Sequence, residues 1–246
     1  MKTSAAQNYQ RIIETLMKDF IVFQDAEINA VSNRMVETIQ DGRNIYMFGS
    51  GHSSLLPQSA QLRGGGLANV VPMLVTNLLV QENPQLSSLL EKTSGIAEQI
   101  LARYPLQEGD MLFVISNSGV NAVPVEIARL AKSMGVIVVA ICAYTYASAK
   151  RPGMNTERLV DVADHILDNG SQQGDAVLDL PKDSGKVCPS STLINEFIWQ
   201  CLVAECTHKL VEKVQPLPIY QSLNFEGAAA HNERLVKKMR MVNPHL

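Results

Sequence analysis

Two short stretches of this sequence combine serine, glycine and polar neighbours at the end of an apolar run. Gly49-Ser50-Gly51-His52-Ser53-Ser54 follows Asn44-Ile45-Tyr46-Met47-Phe48, and Ser116-Asn117-Ser118-Gly119 follows Met111-Leu112-Phe113-Val114-Ile115. Glycine lets the backbone come close to a ligand. Hydroxyls and amides are neutral donors. If a helix follows each loop, its first turn adds unpaired N–H groups at the positive end of the helix dipole. Such a loop can hold a phosphate dianion without a lysine. Either stretch alone is explained as well by helix capping and turn formation. Two of them at matched places in one parallel sheet favour a small-anion site at the carboxyl edge of the strands.

Sharper phosphate motifs are missing. Gly49-x-Gly51-x-x-Ser54 lacks the third glycine of the dinucleotide fingerprint, and Asn69 and Val70 stand where a ribose-binding acid belongs. No Gly-Lys-Ser/Thr triplet occurs, so neither NAD binding nor NTP hydrolysis is expected.

Both loops hang on a regular succession of helices and strands. Ile12, Ile13, Leu16, Met17 and Phe20, then Ile28, Val31, Met35 and Ile39, recur at helical spacing before Gly42, as one long helix or two shorter ones. A strand at 44–48, a helix over about 53–63, a strand with an irregular connection within 67–80 and helical character over 87–103 come next. Residues 111–115 and 136–141 are continuous apolar runs, typical of strands buried on both faces. The stripe Val123, Ile127, Leu130, Ala131, Met134 between them makes a βαβ unit with a right-handed crossover. Residues 144–156 read as a polar loop, 164–168 as a short strand and 171–186 as loop. A long apolar helix over 190–214 and an amphipathic one over 227–241 close the chain. The expected fold is α/β, with an N-terminal helical arm (1–42), a central domain (43–215) and a C-terminal tail or helix at a subunit interface (216–246).

The 246 residues are 46% hydrophobic and 18% charged, with a net charge of −3. That suits one self-sufficient domain and argues against a protein that neutralises nucleic-acid phosphates. No stretch approaches the roughly 20 apolar residues of a membrane span, and Met1-Lys2-Thr3-Ser4 opens no apolar signal core, so a cytoplasmic protein is expected. Cys142, Cys188, Cys201 and Cys206 form no Cys-x-x-Cys pair and are expected to be buried free thiols, not zinc ligands or disulfides.

The sequence Ile115-Ser116-Asn117-Ser118-Gly119 with Asn121, and the earlier Phe48-Gly49-Ser50-Gly51-His52-Ser53, resemble the two ligand loops of the SIS (sugar isomerase) domain. The similarity runs from about 44 to 214 and is strongest to bacterial proteins with a single such domain. Asn169-Gly170, Gly174-Asp175-Ala176, Ser190-Ser191-Thr192 and His231-Asn232 resemble marks of that group. The resemblance implies a three-layer α-β-α sandwich around a five-stranded parallel sheet. It implies that Ser116, Asn117, Ser118 and Asn121 hold a sugar's phosphate beside Gly119. Ser50 and Ser53, flanking Gly51, would meet hydroxyls or phosphate. Ser190, Ser191 and Thr192 would cap the late helix and close the pocket. It further implies a homo-oligomer, dimer or tetramer, with the site near a subunit interface.

Aldose–ketose isomerisation needs a base that moves a proton between adjacent carbons and a group that serves the neighbouring oxygens. Four residues are candidates. His52, inside the first loop, reaches a bound sugar or bonds local backbone. Glu82, after the second strand, is a ligand-edge base or a solvated acid. Glu196 lies among Leu193, Ile194 and Phe197, where apolar surroundings would raise its pKa, or it simply complements the helix dipole. His231, in the tail, arrives from a neighbouring subunit or lies on the surface. Asn195-Glu196 resembles the Gln-Glu pair of phosphoheptose isomerases, whose glutamine helps bind metal. The His and Glu metal ligands of those enzymes are missing here, and Gln58 and Ser59 stand where relatives carry acids. No metal or cofactor is expected. The leading expectation is a sugar-phosphate isomerase. A non-catalytic sensor and a lyase or etherase on an amino-sugar phosphate are the alternatives.

Overall fold

The structure, a computed structural model, describes residues 4–149 and 157–246. Its main sheet has five parallel strands, β1 (Ile45–Gly49), β2 (Val70–Met73), β3 (Met111–Ile115), β4 (Ile137–Cys142) and β5 (His165–Asp168), in the order β2-β1-β3-β4-β5. The chain winds one way from β1 to β2, then crosses to β3 on the other side of β1. This reversal opens a crevice at the carboxyl ends of β1 and β3. Gly49 pairs with Ile115 and Ile115 with Ile141, so these strands end level and their loops leave from one edge.

Successive strand residues face opposite sides. Ile45, Met47, Phe113, Ile115, Val139 and Ile141 share one core with α1 (Ala5–Phe23) and α2 (Asp25–Gln40). Tyr46, Phe48, Leu112, Val114, Val138 and Ala140 face the other core. All twelve are fully buried, each worth about 1.5–3 kcal/mol where aliphatic or aromatic. This explains the unbroken apolar runs: helices cover both faces, as in the three-layer sandwich expected.

The remaining helices are α3 (Leu55–Ala60), α4 (Pro84–Leu90), α5 (Ala97–Leu101), α6 (Ala122–Ser133), α7 (Tyr144–Ser148), α8 (Leu159–Val162), α9 (Ser191–Leu210) and α10 (Ala228–Met239). Trp199 of α9 meets Phe113 edge-on, ring centroids 5.5 Å apart. The arm breaks into two helices at Gln24, whose side-chain amide donates to the carbonyl of Asp168 (2.6 Å) and accepts from its N–H (2.9 Å). The break lets a side chain of the arm extend the hydrogen bonding of β5.

Four local expectations need correction. The helix after β1 is a 3₁₀ turn at His52–Ser54 followed by only six α-helical residues. The helical stretch 87–103 divides at Gly95, whose φ of +89° no helix accommodates. Residues 144–148 form a helical turn, whereas 150–156 of the expected loop lie outside the described residues. The segment 171–186, expected as loop, contributes to an antiparallel hairpin of β6 (Ala176–Asp179) and β7 (Lys186–Pro189). Of the cysteines, Cys142 and Cys206 are buried as expected, while Cys188 and Cys201 are only half-buried. No helix of the described residues is long and apolar enough to cross a membrane.

Candidate functional site

The loop from β3 to α6 turns on Gly119, which has φ +60° and lies so close to Ala147 and Leu159 that a Cβ would sit 3.2 and 3.4 Å from theirs. Gly119 donates its N–H to Ser116 Oγ (3.2 Å) and accepts from Leu159 N (2.9 Å). The N–H groups of Ser118, Val120 and Asn121 donate to no main-chain carbonyl or side chain among the described residues. The Ser118 hydroxyl likewise has no partner, and Asn121 does not cap α6 with its side chain. Free N–H groups, a free hydroxyl and the start of a twelve-residue helix therefore converge on one turn, an arrangement that attracts an anion.

The loop after β1 is built differently. Gly49 is obligatory, because a Cβ there would lie 2.4 Å from the Ser53 carbonyl oxygen. Gly51 (φ +56°) donates to Leu78 O (2.8 Å), Ser53 N to Ser50 O (3.1 Å) and Ser54 N to Gly51 O (3.2 Å), which also accepts from Ser54 Oγ (2.7 Å). His52 is exposed, and neither its ring nor the Ser53 hydroxyl has a partner among the described residues.

The two loops are joined by Glu91, a residue the sequence did not single out. Ser50 Oγ donates to its Oε2 (2.7 Å) and Asn121 Nδ2 to its Oε1 (2.9 Å), while its carbonyl accepts from Val123 N (3.0 Å). Nothing local marks it: Glu91 ends α4, and its side-chain partners lie 41 and 30 residues away.

A third wall comes from the end of β5 and the start of α9. Asn169 accepts from Ser171 N (3.0 Å) and donates through Nδ2 to Asn117 Oδ1 and to Asn195 Oδ1 (2.9 Å each). It thereby ties the β3 loop to α9. Ser190 and Ser191 lie at the start of α9, but they do not cap it. Asp175 does, accepting from Ser190 N (3.1 Å), Ser191 N (2.8 Å) and Ser191 Oγ (2.6 Å). Ser190 is buried and shares its hydroxyl with Ser171 and Asp175; Thr192 is exposed.

The other expected acids and bases are not gathered into this network. Glu196 bonds Ser59 and lies 3.9 Å from Arg63, lining with Met17, Leu193, Phe197 and Gln200 a groove of about 670 Å³. Glu82 is exposed without a partner among the described residues. His231 Nε2 bonds the Ile219 carbonyl of its own chain (2.9 Å).

Shifted pKa values fall mostly away from the loops. Burial pushes the Asp110 carboxyl up, against the N–H bonds it receives from Asn44 and Gln107, at the amino edge of the sheet. Burial, and then nearby Asp168, pushes the Cys142 thiol up to about 12, which leaves it unreactive. Burial, then Arg103, pushes the His245 imidazole down. Among the described residues no three His, Cys, Asp or Glu side chains gather as a metal site would require.

Comparison with known proteins bears on the same region. The model of the SIS domain matches residues 8–143, more than half of the chain. A UPF0309 protein of Brucella anthropi is 42% identical over 202 residues, 82% of each chain. One of Brucella canis is 36% identical over 221 residues, 90% of each. Among solved structures, the phosphoheptose isomerase of Francisella tularensis superposes with a TM-score of 0.55 at 18% identity, covering 84% of this chain and 100% of its own. That of Neisseria gonorrhoeae gives 0.50 at 18%, covering 83% and 95%. At such identity these two share the fold.

Proposed function

This chain belongs to the SIS-domain family, and from that premise we propose that it binds a phosphorylated sugar or amino sugar and isomerises it between aldose and ketose. One observation carries the reading: the unpaired N–H groups of Ser118, Val120 and Asn121, with the Ser118 hydroxyl, at the start of α6 beside the reversal of strand order. They would hold the phosphate, with Ser116 and Asn117 shaping the turn. Gly51 and Ser53 of the first loop would border the sugar, as would Thr192 from α9.

Glu91 is the carboxylate best placed for proton transfer, because it alone among the candidates touches both loops. It would take the proton from the sugar's C2 as the electron pair moves into the C1–C2 bond. The carbonyl oxygen would gain a proton from the exposed ring of His52, giving an enediol. Return of the carbon-bound proton to C1, with the hydroxyl proton at C2 passing back to His52, completes the isomerisation. Glu82 is too exposed, and Glu196 is engaged with Ser59 and Arg63 in another groove.

Incubation with hexose and pentose 6- or 5-phosphates in deuterated water tests this. Solvent deuterium should enter C1 or C2 of the accepted sugar, and Glu91→Gln should abolish the exchange while preserving binding. Binding without exchange would make the protein a sensor. Exchange unaffected in Glu91→Gln would remove Glu91 from the mechanism.

The groove along α1 and α9, with Ile21, Val22 and Phe23 exposed at the end of α1, supports a homo-oligomer in which a second copy covers these apolar groups. Sedimentation equilibrium of the wild type and of Phe23→Glu should show an assembly that the variant weakens.

A further inference from the structure

Resting on the sugar-phosphate reading above, we infer that Asn117 and Asn195 present hydrogen-bond donors of fixed polarity to the ligand, and that Asn169, which does not touch the ligand, sets that polarity. One backbone group fixes that polarity. Ser171 N–H can only donate, so the Asn169 side-chain atom 3.0 Å from it is the oxygen. The other atom of Asn169 is therefore its NH₂ nitrogen. Its two hydrogens point to Asn117 and Asn195, each 2.9 Å away, so the atoms facing it there are both carbonyl oxygens. One main-chain N–H thus decides the orientation of three side-chain amides, a choice that otherwise leaves oxygen and nitrogen interchangeable.

With their oxygens held by Asn169, Asn117 and Asn195 turn their own NH₂ groups away from it. Neither nitrogen has a partner among the described residues. Among the described residues the fully buried side-chain polar atoms without a partner are Tyr46 Oη and Thr207 Oγ1, so neither amide nitrogen is wholly shut off from open space. Flipping either amide would set two NH₂ groups against each other in a site where Asn169 is 2% and Asn195 4% exposed, at the cost of an unmade buried bond. Because both oxygens meet on a single nitrogen, the two outward amides stand within reach of one sugar.

The wall from Asn117 to Asn195 therefore offers donors only. It selects a sugar phosphate that presents an acceptor there, such as a carboxylate or an open-chain carbonyl, over one that presents an ammonium group. Asn195 is a specificity-determining residue in this scheme, and Asn169 a positioning residue. Asn195 also has its oxygen already engaged, so the atom it turns outward is not one that can ligate a metal.

The test compares two ligands by calorimetry on the full chain: 6-phosphogluconate, whose carboxylate accepts, and glucosamine 6-phosphate, whose ammonium donates. Wild type should prefer the first. Asn169→Leu, neutral and of similar bulk, releases both amides to rotate, and the ratio of the two affinities should fall by about tenfold or more toward unity. A purely structural loss would weaken both ligands alike and leave the ratio unchanged, which overturns the inference. Asn117→Leu, at a half-buried loop position, serves if the buried Asn169 variant does not fold; it should weaken 6-phosphogluconate by about tenfold and glucosamine 6-phosphate by much less. If wild type binds both ligands but neither variant moves the ratio, the donor wall is wrong and sugar-phosphate binding stands. If wild type binds no sugar phosphate at all, both fall together.

Discussion

The loops after β1 and after β3 are near-twins in composition and opposites in what they leave unused. The first spends the N–H groups of Gly51, Ser53 and Ser54 within the loop or on Leu78, and the Ser54 hydroxyl on Gly51. The second spends that of Ser116 on Ile141 and that of Gly119 on its own serine, and leaves Ser118, Val120 and Asn121 open. Part of the cause is the 3₁₀ turn, which closes Ser53 N and Ser54 N on the loop's own carbonyls, and part is the connection after β2, which pairs with Gly51 and takes its N–H on Leu78. Main chain also meets the second loop, but there Ala143 N and Leu159 N donate to the carbonyls of Asn117 and Gly119 and use none of its N–H groups. The proposed anion site thus rests on the donors a turn has left over, and not on its glycine and serine content.

Several substitutions press on this contrast, beginning with the most severe. Gly49→Ala drives a Cβ into the Ser53 carbonyl and should lower unfolding free energy in urea by about 3 kcal/mol. Gly51→Ala, with no atom within 4 Å of the new Cβ, meets only its positive φ and should cost about 1 kcal/mol. Equal losses would mean that the first loop is not packed as described. Ser118→Ala should weaken a bound sugar phosphate by about tenfold, the worth of one bond to a charged acceptor. Ser54→Ala should change that affinity less than about twofold, since its hydroxyl is engaged within the loop. A reversed ranking by calorimetry would move the phosphate to the first loop. The last test concerns pH. Neutral donors favour the phosphate dianion, so affinity should rise several-fold as pH climbs through the second phosphate ionisation near about 6. A flat profile from pH 5 to 7 would mean that the cradle does not distinguish the two charge states.

The sheet was readable because it obeys a local rule. Runs such as Met111–Ile115 and Ile137–Cys142 are buried on both faces, and burial on both faces writes itself into consecutive residues. The β6–β7 hairpin follows no such rule. Its strands are four residues each, with Val177 the one buried residue in them, and Asp175, Lys182, Asp183 and Cys188 take positive φ without being glycine. Ser50, Ser116 and Asn121 could be picked out from their loops, but Glu91 could not. It stands in an ordinary helical stretch, and its part in the site depends on partners that only the tertiary fold brings near. Asn169 was visible as a family mark, with no hint that its amide orders two others. For Glu196 the sequence showed the apolar neighbours and not where they go: Leu193 and Phe197 line a groove along α1 with Arg63 beside it, and Ile194 turns into the core.

The Asp175 carboxylate has an effect beyond holding the hairpin root. It lies across the opening N–H groups of α9, so a resident negative charge already quenches that helix's positive pole. The pole of α6 opens on Asn121, whose side-chain amide holds the Glu91 carboxylate, and in its first turn Val123 N is spent on the Glu91 carbonyl, while the N–H groups of Ser118, Val120 and Asn121 before it stay free. A sugar phosphate bound as proposed would therefore set its dianion against the free N–H groups before α6 and away from the Asp175 carboxylate at α9.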